Sequence, residues 1–244
     1  MTISDVLGLL FGLGCMRSVL AGPPYVSADP QPTDDKHYEI YLFTSGTNTR
    51  QGTLAASGID FNYGALPDLQ LTAVIPFAFE DLIGAADATG LGNVELAAKY
   101  RFAHQAQFGW DIAIFPRIFL PAASASLGEH HSSLLLPLWL QRDWGQWSTF
   151  GGGGCEINHG GGSDNFCLIG WTLVRQVLPR LQLGAELVHQ TPDAQGTRAT
   201  TGSGAGVRFD INDYCHVLGY AGPGLQNAAE TDRYSWYLSI LLTF

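Results

Sequence analysis

"NVELAAKYRF", residues 93–102, reads as two interleaved faces. Val94, Leu96, Ala98, Tyr100 and Phe102 make one; Asn93, Glu95, Ala97, Lys99 and Arg101 make the other. A period of two belongs to a β-strand, whose successive side chains point to opposite sides. On a strand that crosses a bilayer, a charge facing lipid costs roughly 2–4 kcal/mol at mid-membrane. The charged face must then look into an enclosed lumen, with the apolar face outward. Whether this stretch is such a strand depends on the rest of the chain.

The same rhythm recurs along it. Segments of period two are expected at 38–45, 53–63, 69–79, 92–103, 108–119, 131–143, 146–157, 165–177, 180–190, 199–210, 214–222 and 232–244, and helical periodicity is nearly absent after residue 25. That is twelve segments, an even number, most of them near the about 9–11 residues that a spanning strand needs. The connections sort into two kinds. "GALPD" at 64–68, "HQAQ" at 104–107, "WG" at 144–145, "LP" at 178–179 and "IND" at 211–213 are short. Those between them, such as "EDLIGAADATGLG", "LPAASASLGEHH" and "NHGGGSDN", are longer and rich in Gly, Ser, Asp and Asn. Short and long alternate strictly. A soluble sandwich has no reason to sort its loops this way, whereas an outer-membrane barrel puts tight turns in the periplasm and long loops outside. The expected fold is all-β: an up-and-down antiparallel transmembrane β-barrel of about twelve strands over residues 38–244, in the bacterial outer membrane.

Composition agrees. Charged residues are 14% of the chain, against about 25% in a typical soluble domain. Mean hydropathy is only +0.08, so the chain is poor in charge without being greasy. A net charge of −10 with no basic stripe excludes a nucleic-acid partner. No apolar run reaches the about 18 residues of a spanning helix.

The two ends carry their own signals. "MTISDVLGLLFGLGCMRSVLAGPP" has a short apolar core and a small-residue site, "VLA", before Gly22, the pattern of an export signal over 1–21. At the other end, "RYSWYLSILLTF" puts Trp236, Leu238, Ile240, Leu242 and Phe244 on one face, with Tyr234 and Phe244 near the two interfaces where aromatics belong. If this strand closes against the first, no edge is left to cover. The terminal Phe244 resembles the signal that such barrels present to their assembly machinery.

The charge rule points further residues inward: Glu39, Asp60, Asn62, Asp111, Arg117, Arg175, Gln182, Glu186, Arg208 and Asp210, together with Glu95, Lys99 and Arg101. The two signs are balanced enough to pair, as buried charges must. Phe115 and Phe119 share the inward parity of Asp111 and Arg117. One of the two faces Leu134/Leu136/Leu138/Leu140 and Leu135/Pro137/Trp139 must also look in, and Trp171 is a further candidate. "FGGGG" at 150–154 leaves a wall without side chains, which allows bending or close approach of another group. Twelve strands fall between filled barrels of eight and open porins of sixteen, so a narrow, partly obstructed channel is expected. Residues 22–37, rich in proline, either hang in the periplasm as a leader or insert as a partial plug, pairing Asp29, Asp34 or Asp35 with the lumen arginines.

Candidate chemistry is sparse. Cys155 and Cys167 lie symmetrically about Gly161 in one hairpin of an oxidising compartment, which predicts a disulfide. The alternatives are two thiols, or a Cys/His metal site with His159. Cys215 is left over near a turn. His189, His130, His131, Ser132 and Ser203 are the candidates for a membrane hydrolase, but no Gly-x-Ser-x-Gly occurs. Nothing points to a cofactor or a metal.

Several longer stretches carry a family resemblance: "GPPYVSADPQP", "GIDFNYGALPDLQL", "GLGNVELAAKYRF", "LPLWLQRDWGQWSTFGGGG", "LGAELVHQTPD" and "YSWYLSILLTF". Together they resemble the outer-membrane barrel transporters labelled for the meta-pathway of phenol degradation. The family often shows "TDDPEP" where this chain has "SADPQP" at 27–32, so two acidic residues are missing here. The resemblance implies a monomeric twelve-stranded channel for passive uptake of small, hydrophobic or aromatic molecules. The channel lining would be Asp60, Glu95, Lys99, Arg101, Asp111, Phe115, Arg117, Phe119, Arg175, Glu186 and Arg208, with outer-membrane lipids, the assembly machinery and a small solute as partners. The competing expectations are a sealed structural barrel without transport and, third, a membrane-embedded lipid hydrolase.

Overall fold

A computed structural model describes residues 23–84, 86–122, 131–158, 164–193, 197–228 and 232–244. The expected export signal, 1–21, lies outside the described residues, as do His130 and His159. The strand segments are β1 (Tyr38–Thr49), β2 (Gly52–Leu66), β3 (Leu69–Leu82), β4 (Ala88–Leu91), β5 (Val94–Ala103), β6 (Asp111–Ile114), β7 (Arg117–Leu120), β8 (Ser133–Trp144), β9 (Trp147–Asn158), β10 (Phe166–Leu178), β11 (Leu181–Gln190), β12 (Thr200–Asp210), β13 (Cys215–Gln226) and β14 (Asp232–Thr243). One four-residue helix, α1 (Gln105–Phe108), stands in the connection expected to be a plain turn, "HQAQ". Its last turn ends on Gly109 at φ 79°, a left-handed position that suits glycine.

Fourteen segments make twelve wall strands. β4 and β5 both pair with β3 and are one strand interrupted at Gly92–Asn93. β6 and β7 both pair with β5 and β8, interrupted at Phe115–Pro116. The sequence expects an unbroken strand over 108–119, and a loop over 80–92 where β4 extends the wall instead. Proline lacks an N–H to donate, so Pro116 and Pro137 would open the ladder here. It survives through carbonyls: Phe115 N–H donates to Pro137 at 3.1 Å and Ala98 N–H to Pro116 at 3.2 Å.

Every pairing between neighbouring strands is antiparallel, and the first strand closes on the last from Glu39↔Thr243 to Thr49↔Asp232. Tyr38 and Phe244 exchange both backbone hydrogen bonds at 3.0 Å, so the seam runs to the final residue. Both of these residues lie at the end of the barrel that carries the short turns, the periplasmic end in barrels of this kind.

The wall is inside out relative to a soluble protein. Leu42, Ile59, Leu71, Ile75, Leu96, Leu138, Ile169, Leu187 and Leu238 are exposed on the outer face. Asn62, Gln70, Thr72, Lys99, Asp111, Gln141, Thr172 and Glu186 are buried inside. Leu135, Pro137 and Trp139 take the inward face of β8, with Trp139 only 1% exposed, and Leu136 and Leu138 face out. Trp171 points outward, contrary to its inward expectation, because Thr172 and Val174 hold the inner register of β10. Trp236, Leu238, Ile240, Leu242 and Phe244 alternate with the buried Ser239 and Leu241, and so share the outer face of β14.

This orientation generates a prediction. Ile59→Arg puts a charge in the outer belt and should lower the unfolding free energy by about 2–4 kcal/mol. Urea titration of vesicle-inserted protein measures it. An unchanged midpoint would mean that this face does not meet lipid.

Candidate functional site

Residues 23–37 thread up the lumen from the turn-side end, and the wall is cut to receive them. At the bottom, Lys36 N–H donates to Gly64 O at 2.7 Å, beside a parallel bridge between Asp35 and Gly64. A Cβ on Gly64 would strike the Asp34 and Thr33 carbonyls, so the close approach requires glycine. One turn higher, Gln70 of β3 accepts from Thr33 N–H at 2.8 Å. Gln31 donates to Asp111 at 3.0 Å and accepts from Arg101, which also pairs with Asp68 at 3.0 Å.

At mid-height Lys99 reaches Asp29 at 3.4 Å and the Gln31 carbonyl at 3.0 Å. Both members of this pair are buried. Burial pushes the Asp29 carboxyl up to about 6, with Lys99 pulling the other way. Ala28 packs on Phe115 and Trp139. Above it, Glu186 of β11 accepts from Ser27 N–H at 2.7 Å and Val26 N–H at 3.1 Å. Hydrogen bonds to a charged group are worth about 1.5–3 kcal/mol each, so Glu186 with two of them is a firm clasp on the segment, as is Lys99.

Tyr25 ends the docked stretch. Its ring meets Phe150 and Tyr220 edge-on, with centroids 5.8 and 5.9 Å away. The floor beneath it is Gly184 and Gly206, where a Cβ would enter the Tyr25 ring or hydroxyl, and Gly170 does the same for Ser27. Burial pushes the Tyr25 phenol up, and the nearby Glu186 carboxylate adds to the shift. The glycines that admit the upper part of the guest are therefore on β10, β11 and β12, as Gly64 of β2 admits its lower end. Those of "FGGGG" serve the wall itself: a Cβ on Gly152, Gly153 or Gly154 would strike the carbonyls of Leu138, Leu168 or Leu136 on adjacent strands.

Among the described residues three adjacent cavities remain in the lumen. The loop-side vestibule holds about 680 Å³ and is lined by Ser45, Leu54, Ala56, Pro76, Ala78, Glu80, Asn93 and Tyr220. The middle one, about 380 Å³, lies between the threaded segment and the β1–β5 wall, against Glu39, Tyr41, Phe43, Asp60, Glu95, Lys99, Phe115 and Arg208. Tyr25, Val26, Arg117 and Tyr237 line both. The turn-side vestibule, about 940 Å³, meets the middle cavity at Gln31 and Arg208.

Most expected lining residues surround this space. Asp60, Glu95, Lys99, Phe115, Arg117 and Arg208 line the middle cavity, and Arg101 and Asp111 the turn-side vestibule. Glu95 pairs with Arg117 at 3.7 Å, and Arg208 with Asp210 at 3.0 Å. Glu186 is taken up by the threaded segment, and Phe119 lies on the inner register of β7, opposite Glu95. Arg175 is a correction. It lies on the outer face of β10 with its guanidinium 5.1 Å from the Trp147 ring, because Val174 and Gln176 occupy the inner register. The ion partner of Asp29 is a lysine rather than an arginine, and Asp34 is exposed at the rim.

Cys155 and Cys167 are directly opposite across β9 and β10 and are joined by a disulfide on the outer face. Among the described residues no group of three metal-ligating side chains gathers. His189 bonds Thr201 at 2.8 Å, and Ser203 stands opposite Leu187. The hydrolase candidates His189 and Ser203 therefore form no nucleophile–base pair.

No protein-family model matches the sequence, and no curated protein does. Solved structures do match in fold. An outer-membrane channel from Pseudomonas putida F1 is similar at 16% identity and TM-score 0.68, covering 92% of this chain and 100% of that one. The KdgM porin matches at 9% identity and TM-score 0.58, over 84% of this chain and 99% of that one. The translocator domain of the autotransporter NalP from Neisseria meningitidis matches at 12% identity and TM-score 0.55, over 86% and 90%. The fold is that of a bacterial outer-membrane β-barrel.

The glycine floor yields a test of the docked segment. Gly206→Val keeps a good strand former in the wall but fills the space of the Tyr25 ring. Overpacking of about 1–3 kcal/mol raises the undocked population roughly 5- to 150-fold. Maleimide labelling of Ser27→Cys in a Cys215→Ser background reads it out, since Ser27 is fully buried. Equal labelling rates with and without Gly206→Val would mean that the glycine floor does not hold the segment.

Proposed function

We propose that this barrel is a monomeric outer-membrane channel for passive uptake of small molecules, hydrophobic or aromatic ones foremost, with residues 23–37 as its partial plug. The three cavities in series between the two mouths carry this reading. A sealed structural barrel has no need of a gap beside its plug. The middle cavity also has a mixed lining. The rings of Tyr25, Tyr41, Phe43, Phe115 and Tyr237 stand beside carboxylates and cations. A ring-shaped solute with one polar group finds partners of both kinds there, while the apolar rings offer a hydrated ion nothing in exchange for its water. The resemblance to the phenol-degradation transporters points the same way.

The plug is poised rather than welded. Ordering a chain costs about 1–2 kcal/mol per residue, which offsets much of what Glu186, Gln70 and Lys99 contribute. Pro23, Pro24, Pro30 and Pro32 reduce that cost by restricting the undocked chain. Release of the segment would widen the passage from the middle cavity to both vestibules.

A second reading, the sealed structural barrel, is favoured by the number of buried wall groups that bond the segment. Uptake by liposomes separates the two. Purified folded protein, with and without residues 22–36, is tested with a phenolic acid, a neutral monoaromatic, a sugar and potassium. We expect the monoaromatic and the phenolic acid to pass the intact barrel above protein-free controls, and deletion to admit the sugar and potassium as well. Passage only after deletion makes the segment a complete plug. No passage in either form leaves the structural barrel. Glu186→Gln, which weakens the clasp on Val26 and Ser27, should increase uptake without changing assembly.

A further inference from the structure

The outer face of the barrel is largely apolar, and on the turn-side half the charged exceptions among the described residues are Arg142 and Arg175. Arg142 is on the outer register of β8, one residue before the inward Asp143, which bonds Gln141 and Gln105 inside. Arg175 is on the outer register of β10. Neither has a carboxylate partner among the described residues. Each guanidinium instead lies over an indole: Arg142 is 5.9 Å from the Trp110 ring and Arg175 is 5.1 Å from that of Trp147.

The indoles are gathered too. Trp110 meets Trp171 edge-on at 6.3 Å. Trp171 lies across Gly151, where a Cβ would enter its ring, and its Nε1–H donates to Thr149 at 2.8 Å. Trp144 is directly opposite Trp147. Four of the six tryptophans therefore stand on one sector of the wall. Of the others, Trp139 is inside the barrel and Trp236 is on β14. At this rim the aromatic girdle continues round the barrel with Tyr38, Phe102, Phe209, Tyr214 and Phe244; its tryptophans are the part concentrated where the two outward cations are.

A cation on a lipid-facing strand is tolerated when its side chain reaches the interface and an anion there. The register sets the spacing. Arg142 is opposite Thr149 and Arg175 opposite Trp147, both on β9. The two arginines so flank one strand, two strand spacings across and two residues apart along it, roughly 12 Å between backbones. That fits a single headgroup with its phosphate reached from both sides. We propose that this patch binds the phosphate of an anionic glycerophospholipid in the periplasmic leaflet. A zwitterionic lipid offers the same phosphate but brings an ammonium against two uncompensated guanidiniums, so the anionic lipid is preferred. The proposal does not rest on the channel reading, since it concerns the opposite face of the wall.

Native mass spectrometry of the detergent-solubilised barrel tests it with phosphatidylglycerol against phosphatidylethanolamine. Each arginine near the surface should favour the anionic lipid about five-fold, roughly 25-fold for the pair. Arg142→Gln with Arg175→Gln should reduce the preference to near unity, while Lys36→Gln, an exposed cation at the same end, should leave it intact. If the double variant does not fold, the wild type still decides. Brominated phosphatidylglycerol should quench tryptophan fluorescence in vesicles at a lower mole fraction than brominated phosphatidylethanolamine. Equal binding of the two lipids, equal quenching, or a preference that survives in the double variant overturns the proposal.

Discussion

A backbone amide inside a bilayer has no water to bond, and that single constraint organises this molecule. Each unsatisfied group would cost several kcal/mol, so the wall must close. Closure here is complete to the ends of the ladder, with Tyr38 and Phe244 exchanging both of their hydrogen bonds. The constraint also explains how the prolines are accommodated. Pro116 and Pro137 contribute no donor, and each sits where its carbonyl accepts from the neighbouring strand. The two interrupted wall strands are thus breaks in regularity without being gaps in the ladder.

Closing twelve strands encloses more space than the inward side chains fill. The chain's own residues 23–37 take up much of it, and they bring the same bonding problem indoors. Their amides are met by side chains: Glu186 for Val26 and Ser27, Gln70 for Thr33. Their one deeply buried carboxylate is met by Lys99. Ala28 and Gln31 are the two neutral residues that flank Asp29 and Pro30 in this stretch. Ala28 packs against Phe115 and Trp139, and Gln31 bridges Arg101 and Asp111. A neutral segment at these two positions suits the pairs already made on the wall.

The two faces handle charge by different means. Inside, cations meet carboxylates: Arg117 with Glu95, Arg101 with Asp68, Arg208 with Asp210. Outside, Arg142 and Arg175 rest on indoles near the turn-side rim. A guanidinium serves both settings because it is planar and weakly hydrated. Glycine also divides its work. Gly152 and Gly154 let neighbouring strands approach, whereas Gly184 and Gly206 let a ring from another part of the chain lie flat on the wall.

The sequence by itself determined the barrel. Period-two alternation is local, so it fixes strand and face together, and a one-residue slip would turn Glu95, Lys99 and Arg101 toward lipid. Loop sorting then fixed the count and the direction of the strands, and the symmetric cysteines of one hairpin fixed their own pairing. The sequence also placed Asp60, Glu95, Lys99 and Arg117 on the inner face. It misplaced Arg175 and Trp171, because "GWTLVRQ" alternates between two faces of similar polarity and gives no local reason to prefer either. Tertiary structure decided that register, through Thr172 and Val174 packing inward. It also decided where residues 23–37 go. Nothing in a proline-rich leader says whether it hangs free. Its docking depends on Glu186, Gln70 and the alternating glycines at 184 and 206, which come from strands that meet the leader only after the wall has closed. Long-range burial of this kind has no periodicity in the chain, and so only the folded barrel could reveal it.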